Sequence, residues 1–153
     1  FLYDDGSVAY CRHIEMPEEK KLTPGTKAGF LKNQCRQKEV ETCVIDFVSL
    51  LHWYAKIRCF EGGYRIRIGL VTGTTEPIYI RVMEPNPNPT GAVSPIEASE
   101  PIFWFENLTL EFDPLASSDE LQASTFELAT DILNQAGISR TCAIQAPLKD
   151  PGQ

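Results

Sequence analysis

Between Tyr64 and Val82 the residues alternate so regularly that few folds can take them. Tyr64, Ile66, Ile68 and Leu70 alternate with Arg65, Arg67 and Gly69, and beyond Thr72-Gly73-Thr74-Thr75, Ile78, Ile80 and Val82 alternate with Tyr79 and Arg81. Successive side chains of an extended chain point to opposite faces, so a period of two marks a strand with one apolar and one polar face. The turn chemistry between the two runs predicts a hairpin, with the isoleucines facing a core and Arg65, Arg67, Tyr79 and Arg81 sharing the outer face. Arginines beside a tyrosine suit phosphate or carboxylate groups held bidentately, or stacked bases, so these four are the candidate binding residues. The competing reading is an ordinary polar face on which Glu76, Glu84 or Glu111 neutralises the arginines.

Two stretches carry the other periodicity. From about 33 to 59, Val40, Val44, Phe47, Val48, Leu51, Tyr54 and Ala55 recur at spacings of three and four, the mark of a helix face. Ile45, Leu50, Trp53 and Ile57 lie off that stripe, which predicts a helix apolar nearly all round, central or covered, and ended by Gly62 and Gly63. The last helix opens on a capping box of Ser117 and Glu120, exits at Gly137, and lines Leu121, Thr125, Leu128, Ala129, Ile132, Leu133 and Ala136 along one face.

The remaining segments read as strands and connections. Asp5-Gly6 between apolar runs suggests a hairpin in residues 1–10, and residues 15–33 have a loop composition. Residues 84–101 hold five prolines and form an expected Pro-rich loop, stiff in its first part. Residues 102–112 are strand-like, with Ile102-Phe103-Trp104-Phe105 too apolar for exposure on both sides. The tail 139–153 is expected to fray. Together these give a single α+β domain over residues 1–153, a two-layer sandwich whose mainly antiparallel sheet of four to five strands carries two helices on one face.

Composition narrows the class. With 42% hydrophobic residues over 153 positions, the chain can bury a core without staples. No run approaches the ~20 apolar residues of a membrane span, and the stretch 44–57 is interrupted by Asp46, His52 and Lys56. A first residue of Phe1 suggests a fragment of a longer protein. Cys11, Cys35, Cys43, Cys59 and Cys142 form no Cys-x-x-Cys pair. Cys43 and Cys59 on one helix would sit about 24 Å apart at ~1.5 Å per residue. Free thiols in a reducing, cytoplasmic setting are therefore expected. Residues 1–81 carry a net +2 and residues 82–153 a net −9, so long-range repulsion disfavours nucleic acid as a whole-surface partner, and a protein partner or parent-protein domain is expected.

Catalytic signals are thin. His52 reads as a core histidine; Cys11 and His13 would share one side of a strand but need further ligands or an orienting group to act. Glu106, Glu111 and Asp113 could pair for acid–base work only if their environments differed. Phosphate-loop, dinucleotide, nucleophile-elbow and zinc-protease motifs are missing. No catalytic residue, metal ligand or cofactor is assigned.

The segments Tyr64 to Leu70, Pro77 to Arg81 and Leu133-Asn134-Gln135-Ala136-Gly137-Ile138 together resemble the C-terminal segment of bacterial proteins carrying a Schlafen-AlbA-like domain, over residues 38–138. That resemblance implies a bacterial intracellular accessory domain attached to a nucleic-acid-binding module outside this chain, and it supplies no catalytic residue. The expected function is non-enzymatic interaction or sensing. The alternatives are a small-molecule-binding or hydrolytic enzyme with a pocket beneath the Pro-rich loop, near Trp104, Glu106 and His13, and single-stranded nucleic-acid or anion binding through the arginine face.

Overall fold

The computed structural model describes residues 7–12, 33–59, 62–70, 75–82 and 100–147. In chain order these form β1 (Gln34–Arg36), α1 (Gln37–Arg58), β2 (Tyr64–Ile68), β3 (Tyr79–Arg81), β4 (Leu108–Phe112) and α2 (Ser118–Asn134). The class is α+β. The hairpin at residues 1–10, the loop 15–33 and the Pro-rich loop lie largely or wholly outside the described residues.

The strands pair differently from the expected hairpin. β2 pairs antiparallel with β4, Arg65 opposite Glu111 and Ile66 opposite Leu110, while β3 pairs in parallel with β1, Cys35 opposite Ile80. Among the described residues these are two separate two-stranded sheets, the second prolonged by an antiparallel bridge between Ile78 and Ile102. The alternation still sets the faces, since Ile66 and Ile80 are buried while Arg65 and Arg67 are exposed. Period two fixes which side of a strand is apolar and says nothing about its neighbour.

Helix α1 starts at Gln37, four residues later than the periodicity suggested, because 34–36 are drawn into the β1–β3 pair. It stops at Cys59, which takes the left-handed conformation (φ 49°), before Gly62 and Gly63 are reached. Its buried stripe includes Val40, Val44, Val48, Leu51 and Ala55, but Trp53 and Ile57 stand exposed, so the helix is covered on one face only and leaves some of its apolar residues in water. Helix α2 follows its sequence signals closely. Glu120 N–H donates to Ser117 Oγ and Ser117 N–H to Glu120 Oε2. At the exit Gly137 sits at φ 70°, its N–H donates to Asn134 O, and Ile138 N–H reaches back to Leu133 O: the αL closure that favours glycine. The core joins the two helices to Ile66 and Phe112 of one sheet and Cys35 and Ile80 of the other.

The tail expected to fray is held through residue 144. Glu41, with no exposed surface, accepts N–H groups from Cys142 (2.8 Å), Ala143 (2.6 Å) and Ile144 (3.0 Å), and Gln37 Nε2 donates to it at 2.8 Å. The same Gln37 nitrogen donates to Arg140 O at 2.7 Å, and Ile138 and Ile144 are buried in the core cluster. Three successive N–H groups make a concave anion seat. The signal was present in the sequence, for Gln37 and Glu41 lie on the same helical stripe as Val40, Val44 and Val48. Two polar residues on an apolar face need partners if they are buried. Residues 148–153 lie outside the described residues.

Candidate interaction surfaces

The arginine patch is divided. Arg65 and Arg67 are exposed on β2, whereas Tyr79 and Arg81 are half-buried on β3, in the other sheet. Arg65 Nε donates to Glu111 Oε1 at 2.9 Å directly across the β2–β4 pair, so one of the suspected neutralising carboxylates is in place. Arg67 stands opposite Thr109 and has no ion-pair partner among the described residues.

A second surface was not anticipated. Phe103 and Trp104, read as part of a strand with one face covered, are 77% and 84% exposed. They ride a short turn fastened at both ends. Before it, Ile102 is buried and exchanges two main-chain hydrogen bonds with Ile78, at 3.0 and 2.8 Å. After it, Phe105 packs against the core, and the side-chain amide of Gln135 both accepts from Glu106 N–H (2.8 Å) and donates to Glu106 O (3.0 Å). Inward Ile102 and Phe105, three residues apart with two aromatics between them, could have been read as a turn. The unbroken apolar run concealed it.

His52, Glu111 and Asp113 each have a structural partner. His52 Nδ1 lies 2.5 Å from Pro114 O, tying α1 to the turn after β4. A carbonyl can only accept, so Nδ1 carries the proton. Glu111 is paired with Arg65, Asp113 Oδ1 accepts Leu115 N–H, and Glu106 is gripped through its main chain. Cys11 is exposed, and His13 lies outside the described residues, as does the Pro-rich loop over the suggested pocket. All five thiols are free. Burial, reinforced by Glu39, pushes the Cys35 thiol up to about 11; burial, then the charge of Glu41, pushes Cys142 up to about 11 although that residue as a whole is exposed. Both therefore stay protonated near neutrality, the unreactive form. Among the described residues no three His, Cys, Asp or Glu side chains gather as metal ligands, and no helix is long and apolar enough to cross a membrane. Comparison with protein families, with curated proteins and with solved structures finds no match to this chain.

Proposed function

We propose that this chain is a non-enzymatic interaction domain, an accessory unit of a larger bacterial protein in the cytoplasm, and that it meets its protein partner through Phe103 and Trp104. The observation that carries this reading is two large aromatic side chains held in water on a turn that is tied down on both sides. Aromatics of this size dominate interface energetics, each burying roughly 150–250 Å² when covered, worth several kcal/mol at about 25 cal/mol per Å². A turn already ordered before association loses little further entropy on binding, so more of that gain survives as affinity. The Schlafen-AlbA resemblance is compatible with an accessory role beside a nucleic-acid-binding module. Direct nucleic-acid or anion binding through the arginine face has less support, since the four residues sit on two sheets and Arg65 already meets Glu111.

A photo-crosslinking residue in place of Trp104, in cells producing the whole parent protein, tests the proposal. A discrete adduct that weakens with Phe103→Ala and persists with Arg65→Ala/Arg67→Ala is the expected result. Absence of any adduct, or the same adduct from a crosslinker at Asp119 on the exposed start of α2, would count against it.

A further inference from the structure

Between β4 and α2 lies an open depression of about 200 Å³. Its strand wall consists of residues 108–111 and its helix wall of Ser124, Glu127, Leu128 and Asp131. Neighbouring residues of a strand point to opposite faces, so a hollow touching four consecutive ones opens on the edge of the strand. The helix residues are spaced i, i+3, i+4 and i+7, a single stripe running alongside that edge. Among the described residues β4 pairs only with β2, which leaves the N–H and C=O groups of alternate β4 residues without a strand on the other side. Gln135 shows what the neighbouring backbone accepts. One turn beyond Asp131, its amide gives Glu106 a donor and an acceptor together, the pair of bonds a residue of an adjacent strand would give. That substitute strand ends where the hollow begins.

Charge selects the guest. Glu127 and Asp131 are four residues apart on α2, a spacing at which like charges destabilise a helix. Asp131 also lies in the last turn, where the helix dipole disfavours an anion and no basic residue compensates. Neither carboxylate has an ion-pair partner among the described residues, and residues 82–153 contain only Arg140 and Lys149 as basic side chains. We propose that the free edge of β4 takes up a short extended peptide segment bearing lysine or arginine, its main chain pairing with β4 and its cations meeting Glu127 and Asp131. This site is separate from the aromatic turn and does not rest on it.

A short capped peptide alternating lysine and valine, titrated at low salt and followed by amide chemical shifts, is the test. Shifts confined to β4 and the 124–131 stripe are expected, with affinity about tenfold weaker or worse in Glu127→Gln/Asp131→Asn, whose side chains are exposed and whose fold should persist. Methylating alternate peptide nitrogens separates strand pairing from charge attraction, because one methylation frame should abolish binding while the other preserves it. Phe103→Ala/Trp104→Ala should bind the peptide unchanged, so failure here and failure of the aromatic contact are distinguishable. Equal binding by both methylation frames, equal binding by the charge-neutral variant, or no shifts at all would overturn the proposal.

Discussion

Glu41 and Glu111 each offer carboxylate oxygens to nitrogen donors, Glu41 beneath the tail near the start of α1 and Glu111 on the outer face of the β2–β4 pair. The side chains of Glu111 and its partner Arg65 are 73% and 76% exposed, so water competes for both charges and the ion pair contributes at most about 1 kcal/mol. Glu41 has no access to water and is surrounded by donors, three of them from a segment about a hundred residues away in sequence. The chemistry is nearly the same and the burial is opposite. Burial decides the outcome, because a donor that loses its acceptor on the surface turns to water, while one that loses it inside has nothing to turn to.

The largest effect is expected at Glu41. Replacement by Ala leaves the N–H groups of residues 142–144 and Gln37 Nε2 without their acceptor, and a loss on the order of 3–5 kcal/mol in chemical denaturation is expected. Hydrogen exchange at Cys142, Ala143 and Ile144 should accelerate more than elsewhere. A loss below about 1 kcal/mol, comparable to a surface pair, would put the two carboxylates in the same class after all.

Cys142 sharpens the same contrast chemically. With its folded thiol raised to about 11 from an ordinary 9.0, its thiolate fraction at mildly alkaline pH should be about a hundredfold below that of the unfolded chain. Alkylation followed by mass spectrometry should show slow labelling in the native protein and fast labelling in denaturant. Because folding raises this thiol, the protonated form favours the native state; that contribution is fully present below about 9 and is lost as pH climbs through about 11. Labelling at equal rates in native and denatured protein would show that neither the burial nor Glu41 acts on the thiol.

The smallest effect belongs to the exposed pair. A double-mutant cycle over Arg65→Ala and Glu111→Ala should return a coupling of roughly 0.2–1 kcal/mol that fades with added salt. A coupling of several kcal/mol, insensitive to salt, would mean that the outer face of β2 is covered in the native protein.

Legibility in the sequence followed the range of the interactions. Both ends of α2 could be read from residues within a few positions of each other, Ser117 with Glu120 and Gly137 with Leu133 and Asn134. The inward turn of Ile66 and Ile80 was equally local. The partners of β2 and β3 were not, since β1 and β4 present compatible edges and three residues, Gln34 to Arg36, carry too little pattern to announce a strand. The outward placement of Arg65 and Arg67 was visible, but the half-burial of Tyr79 and Arg81, the division of the four between two sheets, the exposure of Phe103 and Trp104, and the edge of β4 left open among the described residues all depend on how distant segments meet.

The amino-acid sequence by itself determined two helices, the capping of the second, the buried face of each central strand and the acidic character of the half that contains β4 and α2. These follow from steric alternation, local hydrogen bonding and charge, which act over a few residues or simply add. Strand pairing, the seat that Glu41 provides for residues 142–144 and the turn that holds Phe103 and Trp104 in water were decided only by the tertiary structure. Each depends on bringing together groups far apart along the chain, and the entropy of that closure is offset only when the core has formed around them.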